Sequence, residues 1–531
     1  MSRPRRALLL GFDACDIGVI STLARAGKLP TFQRLLREWS FAEVRNPYGF
    51  FVGATWTSFA TARSAGKLGF HCWDTITPNY ERRLTSPLEV VGGRFWDVLA
   101  EAGKKVAVLD VPHSRAREGQ AAWEVSEYGA HDRHFGFRAS RPAVCDQIAS
   151  RFGLHPIFTV DAFAERHFAG DDYVHRERSL RSPEEEGAFL SDLLSGLKRK
   201  EQLSYWAYAQ EDWDFFMAIF GESHAVGHQS WHLHDASHPR HDAALARGLG
   251  DPIEKVYAAL DAVLAGHLAK VGQESTVLVL LSHGMGPHYD GTYVLEPFLT
   301  RLDEFERRGV SGSLAGRVVK GGWLALGDRG RRLLAKPLTA AARRHFRKSQ
   351  FSAYYENDMG PSVRARQRFY MSPNNSVYGG VRINLVGRER SGLVRRGAEF
   401  DAVCKQLSKD LLSLLNVQTG EPVVQSVEKT EDHYRRNEID ELPDLLIDWR
   451  HDAPIETVWS PKTGFIHAPY WHWRTGDHRP EGFLFVKGPN ISPHTDFGAI
   501  ENGDLGPTLC ALFDVPLPGV DGCPIKALAN S

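Results

Sequence analysis

The chain has 531 residues, enough for a large buried core and, on length alone, roughly two to four domains. With 42% hydrophobic residues, 24% charged residues and a formal net charge of −1, it offers no field for a polyelectrolyte, so nucleic acid is not an expected partner. No run reaches the ~18 apolar residues of a membrane span, and the six cysteines lie scattered without CxxC spacing, which leads us to expect reduced thiols and a cytoplasmic protein.

In chain order, Arg5-Arg6 followed by Ala7-Leu8-Leu9-Leu10 superficially suggests a secretory leader. The apolar stretch is short and meets Asp13 at once, so a buried first strand over 7–12 is expected instead. Helical periodicity follows at 17–26 and 30–39, a helix starts near 54–61, another covers 95–102, and 105–111 reads as a strand. Residues 115–180 are rich in His, Arg, Gly and Pro with weak periodicity and read as an insertion near a site mouth. A helix over 184–210 leads into a strand at 214–220, and an amphipathic helix over 252–271 into one at 276–281. Residues 296–375 break the alternation and carry basic residues from Arg329 to Lys348 among leucines, as a solvated helical face on an insertion, a cap over an anionic substrate or a membrane-surface helix would. Strands are expected again at 380–385, 443–449 and 482–487, and a last helix at 504–513. Strands separated by helices of this length predict an α/β fold, a mostly parallel sheet with helices on both faces, in one domain carrying two insertions.

Three of the apolar runs end in metal-ligand residue types. The first runs into Asp13, the second into Gly221-Glu222-Ser223-His224 with His228 four residues on, and the third into Ser282-His283-Gly284. Ligands in open α/β sheets collect beyond the carboxyl ends of the strands, so these residues are expected at one metal centre. His224 and His228, at i and i+4, fall on one face of a helix. His478, in Gly476-Asp477-His478-Arg479, is a third imidazole, and three histidines with an open position make a catalytic zinc geometry.

Gly11-Phe12-Asp13, Ser282-His283-Gly284-Met285-Gly286 and Gly476-Asp477-His478 together resemble the alkaline phosphatase superfamily, most closely the type I phosphodiesterase/nucleotide pyrophosphatase branch. Thr61-Ala62-Arg63, Arg382-Ile383-Asn384-Leu385, Gly387-Arg388-Glu389 and Leu442-Pro443-Asp444 fit the same pattern, in order, across both ends of the chain. The resemblance implies a three-layer alkaline-phosphatase-like sandwich with cap insertions, one or two zinc ions (manganese or iron as alternatives), and a small phosphorylated substrate, nucleotide-derived compounds among them. By position it implies that Asp13 and His283 attend the ion that activates the nucleophile and that His228 and His478 hold the other, with His224 and Ser282 as further candidates at ligand positions. Arg479 is then a candidate for a substrate oxygen.

The chain departs from that pattern at three places. His224 and Ser282 stand where relatives carry Asp, and Val52 falls where the nucleophilic Thr or Ser is expected, leaving Thr55 as the nearest hydroxyl at a helix start. Two dications ~4 Å apart repel by about 16 kcal/mol at an effective dielectric of 20. Replacing two carboxylates by neutral His and Ser weakens what offsets that repulsion, so a single or loosely held second ion is expected. The expected activity is phosphoric-ester hydrolysis, with attack by Thr55 or by a metal-bound hydroxide. A phosphomonoesterase, a phosphotransferase, or a non-catalytic member that binds phosphorylated ligands are the alternatives.

Overall fold

The computed structural model describes residues 5–130, 135–157, 182–308, 360–435, 440–469 and 474–529. The remainder of the 115–180 segment and the basic stretch from Arg329 to Lys348 lie outside the described residues. The chain divides into two compact units: Met1–Phe70 with Ser86–Pro287 and Trp473–Ser531, and His71–Thr85 with His288–His472.

The first unit is built on a nine-stranded sheet. Its centre is Ala7–Phe12, flanked in parallel by Phe215–Phe220 and Thr276–Leu281, with Val106–Leu109 and Trp123–Ser126 continuing in parallel beyond Phe215–Phe220. On the other side Glu481–Lys487 runs antiparallel between Thr276–Leu281 and Ser40–Arg45, and Asp496–Glu501 closes the edge. The central strands read as unbroken apolar runs because both faces are covered. Leu8, Leu10 and Phe12 face a core shared with Ile20, Phe32, Leu193 and Leu260 from four helices, Ile17–Arg25, Pro30–Glu38, Pro183–Tyr208 and Pro252–Leu268. Ala7 and Leu9 face Trp56, Phe59, Leu99 and Leu509 from Phe51–Thr61, Phe95–Glu101 and Leu505–Leu512. This is a three-layer α/β sandwich. Each buried Leu or Phe contributes about 1.5–3 kcal/mol, so the layers are held chiefly by these side chains.

Two expectations shift. Trp123–Ser126 and Arg138–Ala139, inside the segment with weak periodicity, extend the central sheet. Their runs are too short for a pattern of period 2 to register. The helix expected from 54 begins at Phe51, and its N-cap Phe50 makes no side-chain cap hydrogen bond, so no polar start signal marks it.

Register places the site. Phe12 is level with Phe220 on one side and Leu281 on the other. The ladder continues one step, with Asp13 N donating to Phe220 O (2.8 Å) and Ser282 N donating to Phe12 O (3.1 Å). Asp13, Gly221 and Ser282 therefore leave the sheet side by side at the carboxyl ends of adjacent strands.

The second unit carries a four-stranded antiparallel sheet in the order Phe369–Ser372, Tyr378–Ile383, Leu445–Trp449, Val424–Lys429. Its central pair are the strands expected at 380–385 and 443–449, and the helices Thr292–Arg308 and Ala398–Leu412 supply Leu295, Phe298, Leu407 and Leu411 to its core. The Arg382, Arg388–Glu389 and Asp444 motifs form one buried network there. Arg382 Nε donates to Glu389 Oε1 (2.8 Å), and Arg388 grips Asp444 with both terminal nitrogens (3.0 and 2.8 Å). Asp444 also accepts from Ile383 N (2.7 Å), so these residues brace the unit. Among the described residues no helix is long and apolar enough to cross a membrane.

Candidate metal centre

The helix Glu222–His234 begins directly after the Phe215–Phe220 strand, and His224 and His228 stack on one of its faces with ring centroids 4.8 Å apart. His232 does not continue the row. Ser230 has non-helical φ/ψ (−119°, 18°), and beyond that kink His232 Nδ1 turns to Thr475 Oγ1 (3.2 Å). The kink also frees carbonyls: Thr475 N donates to His228 O (2.7 Å), and Thr475 Oγ1 donates to Gln229 O (3.1 Å).

That docking brings in His478. It lies on Gly476–Arg479, antiparallel to Gly284–Pro287 with His478 opposite Met285. The approach of this strand to the helix demands two glycines. A Cβ on Gly476 would sit 2.2 Å from Gly227 O, and one on Gly227 would sit 2.8 Å from Met285 Cγ.

The result is a buried cluster of three imidazoles, His224, His228 and His478, all under 5% exposed. His224 Nε2 is 3.0 Å from His228 Nε2 and 2.8 Å from His478 Nε2. Their outer nitrogens decide what these contacts are. His228 Nδ1 donates to Gly476 O (2.8 Å), and a carbonyl only accepts. His224 Nδ1 donates to the Asp13 carboxylate at Oδ2 (2.7 Å). Neutral rings with protons at Nδ1 carry bare lone pairs at Nε2, so the short contact between these two rings brings two acceptors together. Burial, reinforced by His224 and His283, pushes the His478 pKa well below its ordinary value and keeps that ring neutral. Convergent imidazole lone pairs in a buried site suit a divalent cation, and the residues present fit one.

Asp13 is tied in from all sides. Oδ1 accepts from Trp56 Nε1 (2.7 Å) and Ser282 Oγ (3.0 Å), while Oδ2 accepts from His224. Burial alone would raise its pKa, but the neighbouring His224 and His283 rings and the hydrogen bonds from His224 and Trp56 reverse this and hold the carboxyl well below the usual range. Ser282 Oγ also accepts from Ala14 N (3.1 Å) and lies 3.0 Å from His283 Nδ1. His283 stands beside the triad, its ring centroid 4.8 Å from that of His478.

With strand ends, histidines and carboxylate in this arrangement, the sequence matches the profile of the type I phosphodiesterase/nucleotide pyrophosphatase family over residues 7–478. The chain belongs to that family. Among solved structures, murine ectonucleotide pyrophosphatase/phosphodiesterase 5 is similar over 98% of this chain and 97% of its own, at 12% identity and a TM-score of 0.46. Phosphonoacetate hydrolase from Sinorhizobium meliloti 1021, in complex with phosphonoformate, is similar over 95% of this chain and 94% of its own, at 13% identity and the same TM-score. No curated protein sequence matches the chain at a significant level.

The remaining candidate residues are held by partners within the chain. Thr55 lies in the second turn of the Phe51–Thr61 helix, buried, with its hydroxyl donating to Asn46 Oδ1 (3.0 Å). Asn46 is locked in turn, its Nδ2 donating to Ser282 O and Pro480 O (both 2.8 Å). Phe51 opens the helix, its ring edge-on to His283 (5.8 Å between centroids) and His478 (6.3 Å), with Val52 next to it. Arg479 spends its guanidinium on main-chain carbonyls: Nη1 donates to His478 O and Nη2 to Pro287 O, each at 2.7 Å. The candidate residues Asp13, His224, His228, Ser282, His283 and His478 thus come together, Thr55 sits one side chain away through Asn46, and Arg479 holds the strand that carries His478. Sequence reasoning missed Trp56 and Asn46, because no spacing or motif flags a lone indole or amide. The Gly227–Gly476 contact was legible only as two glycines beside histidines.

Proposed function

We propose that the chain is a metal-dependent hydrolase of small phosphoric esters, of the phosphodiesterase/nucleotide pyrophosphatase type. The observation that carries this reading is the convergence of the His224, His228 and His478 Nε2 atoms, with outer nitrogens on His224 and His228 anchored by Asp13 and Gly476. A divalent ion held there, Zn2+ by the imidazole set with Mn2+ or iron as alternatives, supplies polarisation of a phosphoryl oxygen and acidification of water. The protein's part is to hold three lone pairs on one point, to keep His224 in one tautomer through Asp13, and to wall the site with Phe51.

Water is the favoured attacker. Val52 has no hydroxyl, and Thr55 gives its proton to an amide oxygen, which is not a base. Arg479 enters the proposal as a brace for the His478 strand, since a substrate role would cost it two main-chain hydrogen bonds.

The test is hydrolysis of bis-p-nitrophenyl phosphate, p-nitrophenyl phosphate and a nucleoside triphosphate with Zn2+ or Mn2+. Diester or pyrophosphate turnover should exceed monoester turnover, His228→Ala should abolish it, and Thr55→Val should retain it within about tenfold. Loss of all turnover in a folded, metal-loaded Thr55→Val would make Thr55 the nucleophile. Absence of turnover on every ester, with measurable nucleotide affinity, would favour the binding reading.

A further inference from the structure

We infer that this chain is a one-ion member of its family, in which Asp13 has left the metal and become the carboxylate that orients His224. The inference rests on the triad named under the proposed function and adds what becomes of the second ion's residues.

Four observations carry it. First, the Asp13 carboxylate is occupied by donors at both oxygens: Trp56 Nε1 and Ser282 Oγ at Oδ1, His224 Nδ1 at Oδ2. Second, Ser282 is saturated. A hydroxyl has one proton and two lone pairs. The proton goes to Asp13, one lone pair takes Ala14 N–H, and His283 Nδ1 stands 3.0 Å from the oxygen. Third, Phe51, whose ring packs edge-on against His283, opens its helix and Val52 follows it in the chain, so the first two residues of that helix carry no side-chain oxygen. Asp13, Ser282 and His283 thus offer a carboxylate bonded at both oxygens, a hydroxyl whose proton and lone pair are used, and one imidazole, a donor set that does not suit a second cation.

Fourth, the bond from Asp13 to His224 does for the triad what it no longer does for a second ion. His224 is the imidazole within 3.0 Å of both other rings. Its Nε2 lone pair exists in the neutral ring only while the proton stays at Nδ1, and Asp13 Oδ2 fixes it there. With histidine at 224, where the family pattern carries a carboxylate, the Asp13 acid stays and its partner is a ring N–H. Carboxylate–histidine–metal relays of this kind change metal affinity by about 10–100-fold when the carboxylate is altered.

Asp13 is a positioning residue, and its test uses Zn2+ and Co2+ alone. Full-length protein is loaded with Zn2+, dialysed, and its metal counted; affinity follows from chelator competition. Wild type should retain one equivalent. Asp13→Asn should still reach one equivalent at saturating Zn2+, with affinity 10–100-fold lower and a changed Co2+ visible spectrum. A merely structural Asp13 would lower the melting temperature and leave the affinity and spectrum of the folded protein alone, and that result overturns the inference. So does a wild type that keeps two equivalents, of which Asp13→Asn keeps one. Should Asp13→Asn fail to fold, Trp56→Phe, which removes one donor from Asp13 without touching His224, should also count one equivalent; two equivalents there would refute it. Two ions with ester turnover sink this inference and leave the hydrolase reading standing. One tight ion with no turnover of any ester does the reverse.

Discussion

Gly476→Ala is the smallest change that interrogates the whole site. A methyl group there would sit 2.2 Å from Gly227 O and 2.9 Å from Trp231 Cβ, both rigid parts of the Glu222–His234 helix. Cβ atoms essentially never come within 3.0 Å of a neighbour, so the strand must retreat by at least about 0.8 Å. His478, two residues on, retreats with it, against a tolerance of roughly 0.2 Å in metal–nitrogen distance. We expect a strain of about 1–3 kcal/mol in the fold and a Zn2+ affinity at least ~100-fold lower, about 2.7 kcal/mol. Chelator competition and thermal unfolding with and without zinc measure the two terms separately. Gly93→Ala, where an added Cβ meets nothing within 4 Å, is the control. A folded Gly476→Ala protein that binds zinc within threefold of wild type would remove His478 from the metal or the close strand–helix contact from the fold.

Elsewhere, Lys200 and Asp110 are fully buried with Lys200 Nζ 2.5 Å from Asp110 Oδ2, so Lys200→Met should destabilise by about 3–5 kcal/mol in chemical denaturation. An effect below 1 kcal/mol would mean that the pair is already neutral. Asp444→Asn removes a charge that Arg388 grips twice and should cost the second unit about 2–4 kcal/mol while leaving Zn2+ affinity unchanged. Parallel loss of zinc would place that network in the site's support. Burial, with Lys270 adding to it, pushes His267 down to about 3, its Nε2 2.9 Å from Ser204 Oγ. The ring folds neutral, so its contribution is whole above the unfolded value of 6.5 and is lost as pH falls towards 3. That is about 2 kcal/mol by pH 5. His267→Gln should show a flatter decline in urea midpoint between pH 7 and 5, and an unchanged slope would refute it.

The apolar runs at 7–12, 215–220 and 276–281 announced buried parallel strands because a strand covered on both faces needs no polar alternation. Their ends announced a candidate metal centre, since adjacent parallel strands deliver whatever follows them to one edge. The i, i+4 spacing put His224 and His228 on one helical face for an equally local reason. Val52 and Ser282 were legible as departures from the family pattern, which is why a single or loosely held second ion was expected. What the chain order left open was settled between distant segments. His478 reaches the site because Gly227 and Gly476 let a strand press against a helix kinked at Ser230. The strands expected at 380–385 and 443–449 belong to a separate antiparallel sheet, as pairing partners are chosen in space and periodicity does not name them. Asp13 is legible in one dimension as an acid at a strand end; its bonds to Trp56, Ser282 and His224 appear only in three, because hydrogen-bond partners leave no trace in spacing.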